Sequence, residues 1–531
     1  MIGFTVLAFA MRMFILTRSG YMTGVTEYDD GVYLGGAIRL LQGQLPFHDF
    51  AFVQPPGIVL LMVPVALLTK VTTATHALAA ARILTVVAST ACVPLAGSLL
   101  RHRGTLVTMV TCGILAVYPD DITTAHTLIL EPWMNLLALT GVCLAFRRGR
   151  LASPRRLLWA GVLIGAAGSV KFWAGLPAAA LLGVCLASGV PEERKPRTAR
   201  YFAGLVLGFC LPVLPFVVAN PVRFVRSTVL DQAFRYGTYV PHSMRLAHIT
   251  GLIDFLNAKG HLSLHSGTHS LFASGGAAAT PGTSAGLLPY VVFLIAAVLI
   301  AAGYLAQPGR PSPLETFALA ATVLAICAVI FYSAFFYHYP AFVAPWLAIA
   351  AGGAFGALSS GRLADRLAAR FPGGPRGGAA RARRAVGAVI GAGLVLLAAF
   401  QAREINDLAA PDIYHNQAVI PAGACVVTDQ ISMTIAANRF TATNPGCPDI
   451  MDALAQTLVL SDGVSVQGGA NTLPHVVAAW RSILGRAGYV WLSPNNWRRI
   501  PWTPGLQEWF KANFVKLPVY GGLGDVYKRI R

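Results

Sequence analysis

The sequence predicts a polytopic α-helical membrane protein of about eleven transmembrane helices, followed by a small C-terminal α/β domain. Three observations predict it. Of 531 residues, 55% are hydrophobic and only 12% are charged, against about 25% charged in an ordinary soluble protein. The apolar residues come in blocks close to the roughly 20 residues that carry a helix across a bilayer with every backbone group paired internally. The stretches between the blocks are short and rich in Arg, Gly and Pro.

The apolar blocks place candidate crossings at residues 2–17, 78–100, 104–118, 129–146, 157–170, 174–189, 201–219, 286–305, 316–336, 341–358 and 385–402. The first is short for a crossing, so either the chain starts upstream or this helix begins at the membrane edge; no cleavable signal is visible. Gly57–Lys70 is also apolar, but it follows Pro55-Pro56 and runs for only about 14 residues, a length that suits an interfacial or re-entrant helix.

The basic loops set the orientation. Arg101–Arg103, Arg147–Arg156, Pro191–Arg200 and Gly361–Arg384 should all be cytoplasmic, since short Lys- and Arg-rich loops stay inside. The last carries seven Arg against one acid, Asp365. All four fall inside together only if Gly57–Lys70 lies in the outer interface instead of crossing. The N-terminus is then inside and the C-terminus outside. A membrane part, residues 1–402, carries a first outer loop with an interfacial helix at 18–77 and a second large outer loop at 220–285. The second loop contains the Gly/Ala/Ser/Thr-rich stretch Ser274–Gly286. Residues 403–531 form the extracytoplasmic domain, with strand-like runs at Ala424–Thr428 and Tyr489–Leu492 and helix-like runs at Val476–Leu484 and Leu506–Phe514.

The formal charge of +19 is concentrated in these loops. No basic module interleaved with aromatics is present, which argues against a nucleic-acid partner. Six cysteines lie in apolar blocks and act as small hydrophobes. Cys425 and Cys447 are the two in the polar C-terminal part, and an extracytoplasmic location permits a disulfide between them.

The first outer loop holds the most chemistry: Glu27-Tyr28-Asp29-Asp30-Gly31-Val32-Tyr33, Leu45-Pro46-Phe47-His48-Asp49-Phe50, and Val53-Gln54-Pro55-Pro56-Gly57. Three acids so close together just past a membrane helix can take a proton from an acceptor hydroxyl or ligate a hard divalent cation; the bland alternative is a solvated loop. Arg12 lies within the first apolar block, Arg82 at the start of a crossing, Lys171 between two crossings, and Arg235 in the third outer segment. Cations at membrane depth point to function, and guanidinium groups suit phosphate; snorkelling to lipid headgroups is the alternative. His338, in Tyr337-His338-Tyr339-Pro340, could contact substrate or metal, and His48-Asp49 could orient a group at the site. His261, His265 and His269 recur every fourth residue, but the surrounding Ser, Gly and Thr argue against a metal helix. Trp480, Trp491, Trp497, Trp502 and Trp509 suit core packing or membrane-edge anchoring better than sugar stacking.

An acidic pair after the first crossing, a Tyr three residues on and a Pro-Pro helix start resemble the membrane glycosyltransferases of GT-C fold. Protein O-mannosyltransferases and lipid A aminoarabinose transferases, glycosyltransferase family 39-like enzymes, belong to that group. The resemblance continues at Ala125–Leu136, with Glu131 opening a crossing, at Gly168-Ser169-Val170-Lys171, and at Tyr337–Pro340 with Pro345, covering roughly residues 1–400. It implies that Asp29 is the catalytic base and that Asp30 or Glu131 orients it or holds a divalent metal cation. Tyr33, His48, Arg12, Arg82, Lys171, Arg235 and His338 would line the substrate site. The donor would be a polyprenyl-phosphate sugar, its tail in the lipid bilayer. The acceptor would be a glycan, glycolipid or protein of the cell envelope, and transfer would invert the anomeric centre. Mannose and arabinose suit the Ala/Arg/Gly-rich composition of a high-GC bacterium. One departure stands out: related aminoarabinose transferases carry an acid and a Lys before Pro-Pro, and this chain has Val53-Gln54, which removes that acid from any metal site.

The rival class is a transporter or flippase of lipid-linked sugars, which predicts repeats and midplane charges; here the charges gather at helix ends. A non-catalytic scaffold is the second rival, and it requires the Asp29-Asp30 carboxylates to be dispensable.

Overall fold

The computed structural model describes residues 1–233, 240–253, 286–307, 309–360, 374–519 and 521–530, with the backbone alone for 358–360 and 374–383. Every apolar block forms a helix. The first half of the chain gives α1 (Ile2–Leu16), α2 (Asp29–Leu41), α3 (Gly57–Ala66), α4 (Ala74–Leu100), α5 (Thr105–Ala116), α6 (Pro119–Thr124), α7 (Leu130–Ala145), α8 (Pro154–Val170), α9 (Gly175–Ala187) and α10 (Pro191–Ala219). Short turns follow as α11 (Pro221–Val225), α12 (Asp231–Ala233) and α13 (His242–Ile249). The remaining long helices are α14 (Leu288–Leu305), α15 (Pro313–Phe331), α16 (Pro340–Ser360) and α17 (Gly374–Asn406). Among the described residues six helices are long and apolar enough to cross a membrane; α1, α5 and α7 are shorter apolar helices. The chain is thus a multi-pass membrane protein. Most of the 220–285 stretch, including Arg235 and the three spaced histidines, lies outside the described residues.

Several boundaries differ from the sequence expectation: α17 begins at Gly374, inside the basic stretch expected as a loop, and runs to Asn406, and α15 ends at Phe331 instead of residue 336. Pro191–Arg200, expected as a basic loop, forms the first turns of α10. Pro191 opens the helix, Glu192 and Glu193 sit in its first turn, and Glu193 pairs with Arg197 one turn on at 2.7 Å, all favourable at a helix N-terminus. The crossing expected from residue 78 begins earlier, at Ala74, because the Thr73 hydroxyl caps it by accepting from His76 N. The Gly57–Lys70 stretch is helical as α3 and ends in a tight 3₁₀ turn, Leu67–Lys70.

Helices α8 and α10 touch backbone to backbone. A Cβ on Gly161 or Gly165 would collide with the Tyr201 or Leu205 carbonyl, and one on Gly204 or Gly208 with the Leu158 or Val162 carbonyl. Small residues that let helices approach this closely replace, inside a bilayer, the hydrophobic drive available in water.

The bundle has two chemically distinct ends. At one, β1 (Phe146–Arg147) and β2 (Arg150–Leu151) form a hairpin whose turn residues Arg148 and Gly149 both have positive φ, 50° and 81°. Leu314 N donates to Gly149 O, and Arg103 pairs with Glu315, which also closes a capping box with Ser312. The basic segments 101–103 and 147–151 therefore meet. The other end gathers the starts of α2, α4, α7 and α16 and the end of α8.

Over that second end lies a four-stranded sheet built from β3 (Val426–Thr428), β4 (Tyr489–Leu492), β5 (Phe514–Lys516) and β6 (Asp525–Arg529), in the order β3-β4-β6-β5. Strands β3 and β4 are parallel, with Val427 opposite Val490; the other pairings are antiparallel. Trp480 packs on Val427 and Val490 in a separate core, and Trp491 is buried on the bundle side. Trp502 and Trp509 pack at the edge of that core, whereas Trp497 is exposed. Cys425 and Cys447 are joined by a disulfide.

Candidate active site

Helix α2 starts on two acids. Asp29 and Asp30 occupy its first turn, where the helix dipole favours negative charge. The two carboxylates have different fates. Asp30 is fully buried, 2.5 Å from Arg82 Nη2, and accepts the Thr127 hydroxyl at 3.0 Å. Arg82 also donates to Tyr21 O at 2.8 Å. This pair is a fixed counter-charge that ties α2 to α4 and to the approach to α7. Asp29 is half-buried, and Tyr33 donates to its Oδ2 at 3.3 Å from one turn on. Of the two, Asp29 is the carboxylate an incoming hydroxyl can reach.

Glu131, in the first turn of α7, is fully buried. Its Oε1 takes a hydrogen bond from Lys171 Nζ and lies 2.9 Å from His338 Nδ1. Lys171 sits where α8 breaks into extended backbone, and its ammonium lies 4.6 Å from the Trp173 ring centre and 4.3 Å from that of Tyr339. An aromatic box of this kind holds a cation without neutralising it. His338 stacks on Phe336. Tyr33 feels the charges of both Asp29 and Glu131, as does Tyr337. The structure therefore brings Asp29, Tyr33, Glu131, Lys171 and His338 to one end of the bundle, away from the basic hairpin.

Other expected residues are placed elsewhere. Every N–H of the Arg12 guanidinium is taken, by Ser89 Oγ, the Ala8, Leu115 and Ala116 carbonyls, and Asp121. With no donor left, Arg12 is a bundle-locking residue rather than a phosphate ligand. Arg82 is paired with Asp30 through Nη2 and with Tyr21 O through Nη1, and its Nε is buried without a hydrogen-bond partner. His48 stays on the surface, 2.8 Å from Asp49, with its carbonyl accepting from Arg223. Arg235 lies outside the described residues. As for a metal, no group of three or more His, Cys, Asp and Glu among the described residues is arranged to hold one. Asp30 and Glu131 each face a cation with one oxygen and keep a second, Asp30 Oδ1 and Glu131 Oε2, buried without a hydrogen-bond partner.

Sequence reasoning missed two features of this end, and of a third, the acid Glu27, it missed the burial and the partners. Asp120 and Asp121 open the short α6, the first paired with His248 at 2.8 Å and the second with Arg12; an acid pair after Tyr118-Pro119 was the available signal. Asp452 and Arg499 reach the α2 start from the far C-terminal segment, and nothing local marks them. Glu27 is buried, accepting from Tyr28 N and the Tyr337 hydroxyl, each at 2.8 Å.

Burial, and then the neighbouring Asp29 charge, push Glu27 up to about 8 from an ordinary value near 4.5. Ionising it therefore costs more in the folded chain than in the unfolded one. Its contribution to stability is intact below about pH 4.5 and is lost as the pH climbs toward 8. Glu27→Gln, neutral throughout, is expected to flatten the decline of Tm across that window in detergent solution. Parallel Tm–pH curves for variant and parent would overturn the assignment.

No protein-family model matches the chain, and no curated protein matches it. Solved structures do. Over 100% of this chain and 98% of the other, it is similar to ArnT from Cupriavidus metallidurans bound to undecaprenyl phosphate, with TM-score 0.57 and 13% identity. It is similar to the oligosaccharyltransferase of Archaeoglobus fulgidus tethered with an acceptor peptide, with TM-score 0.53, 13% identity and coverage of 100% of this chain and 74% of that one. The same archaeal enzyme in complex with Zn and sulfate superposes at TM-score 0.50 and 12% identity, over 99% of this chain and 72% of that one. Identities this low establish architecture alone, and the architecture is that of the GT-C fold shared by these membrane glycosyltransferases.

Proposed function

We propose that the chain is an inverting glycosyltransferase that moves one sugar from a polyprenyl-phosphate donor to a cell-envelope glycan, glycolipid or protein. The observation that carries this reading is the convergence of an accessible carboxylate, Asp29, with a boxed cation, Lys171, at the end of the bundle remote from the basic loops. Short basic loops stay cytoplasmic, so that end faces outward. Eleven crossings, a membrane part of residues 1–402 and an extracytoplasmic α/β domain of residues 403–531 complete the proposal. The ligands named for the neighbouring structures, undecaprenyl phosphate and an acceptor peptide, support the same classes of donor and acceptor here.

In this mechanism Asp29 takes the proton of the acceptor hydroxyl while that oxygen attacks the anomeric carbon. The bond from that carbon to the donor phosphate breaks, and polyprenyl phosphate leaves with the electron pair. Lys171 balances the negative charge growing on the leaving phosphate. Glu131 and His338 hold the ammonium in place, a preorganised charge of the kind that supplies much of enzymatic rate acceleration. Asp30 Oδ1 and Glu131 Oε2 are separate unpartnered oxygens, and among the described residues no cluster of three or more His, Cys, Asp and Glu is arranged around either to hold a divalent cation; the steps above are carried by Asp29 and Lys171.

The test is an in vitro transfer assay on purified protein with a panel of polyprenyl-phosphate sugars, mannose and arabinose included, run with chelator and then with added divalent cations. Transfer from at least one donor is expected. Its absence from all of them would overturn the reading, and donor movement across vesicles without transfer would favour a flippase.

A further inference from the structure

The Tyr28 hydroxyl and ring face take their polar and cation contacts from the C-terminal segment. The hydroxyl donates to Asp452 Oδ1 at 2.6 Å, and Arg499 lays its guanidinium over the ring, 4.0 Å from the centre. Both partners are themselves fixed. Asp452 caps the helix Ala453–Leu460, accepting from Ala455 N at 2.9 Å with the same oxygen. Arg499 is 2.8 Å from the buried carboxylate of Asp429, which also accepts from Ser493 N and Ser493 Oγ, each at 2.6 Å. A second contact runs beside the first. The Gln430 amide donates to Glu27 O at 3.4 Å, and the backbone of Ser432 presses on Gly31 so closely that any side chain there would collide.

Tyr28 is the residue immediately before Asp29 and is the N-cap of α2. As the N-cap, Tyr28 ties the start of α2 to the C-terminal segment, and its backbone bears directly on where the Asp29 carboxylate points. On the other flank Asp30 is locked to Arg82. Asp29 thus sits between two anchored neighbours, one fixed by the bundle and one by the far end of the chain.

We infer that Asp452 and Arg499 are positioning residues for the transfer reaction: through Tyr28 they aim Asp29, so the C-terminal segment completes the active site instead of merely covering it. The inference rests on the transferase reading. Neither residue touches the reacting atoms, and their effect is on orientation. Misplacing a reacting group by about 1 Å can cost on the order of a hundredfold in rate.

The experiment compares Tyr28→Phe, Asp452→Ala and Asp452→Asn in the full-length protein, with kcat, KM for the donor and Tm measured on each. Asp462→Asn, at an exposed ion pair with Arg226, is the control. Tyr28→Phe and Asp452→Ala are expected to lose on the order of tenfold or more in kcat with donor KM within about twofold. Asp452→Asn is expected to recover most of the loss seen in Asp452→Ala, since its amide oxygen accepts from both Ala455 N and Tyr28. A fall in Tm with kcat of the folded fraction unchanged would overturn the inference, as would equal losses in Asp452→Asn and Asp452→Ala. An inactive parent protein would instead count against the transferase reading, so the two failures are distinguishable.

Discussion

Asp29→Asn is expected to lower sugar transfer by about two orders of magnitude or more, the range over which a general base contributes, while the protein folds as before. The substitution removes the proton acceptor and keeps the shape of the side chain. The Asn amide oxygen still accepts from Tyr33, whose hydroxyl lies 3.3 Å from Asp29 Oδ2, and Asn is tolerated in a first helical turn. The loss should fall on kcat with donor binding nearly unchanged, because in the proposed mechanism the donor phosphate is assigned to Lys171 and not to Asp29. The measurement is steady-state transfer beside Tm for parent and variant. Equal kcat would remove Asp29 from the mechanism and leave the carboxylate as a helix-start charge.

The second large effect is on folding. Arg82 and Asp30 are both 0% exposed and 2.5 Å apart. Removing one member of such a pair strands the other charge, which costs about 3–5 kcal/mol. Arg82→Met is therefore expected to give little folded protein. Replacing both members by uncharged residues of similar volume is often nearly neutral, so Asp30→Asn combined with Arg82→Met should recover most of the yield. The readouts are monodisperse yield in detergent and Tm across the double-mutant cycle. Stability that merely adds across the two sites would overturn the pairing.

These two acids, adjacent in sequence, show where reading the chain succeeds and where it stops. The helices were legible because each apolar block announces itself by length, and Tyr489–Leu492 reads as a strand and is one. That the acids of the first loop matter was legible too, from their number just past a membrane helix. What could not be read was the division of labour. Asp30 becomes a structural counter-ion because Arg82 lies 52 residues further on, at the matching height of α4. Arg12 looked like a phosphate ligand and instead spends its donors on α4, the end of α5 and Asp121. Both outcomes depend on which helix ends coincide in space, and a list of apolar blocks carries no such information. The same limit hid Asp452 and Arg499, which sit more than 400 positions from Tyr28 in a stretch of ordinary polar composition.

The lock between Arg12 and Asp121 bears on how the molecule is made. The two residues are 109 positions apart, so when the first helix leaves the ribosome its partner does not yet exist. At about 5–20 residues per second, several seconds pass before the matching acid emerges. A lone guanidinium within a nascent helix costs up to roughly 2.5–3.5 kcal/mol to release into lipid, the figure for the helix centre. Helix α1 is thus a poor candidate for independent insertion, and its final seat is assembled only after α4, α5 and α6 have been synthesised.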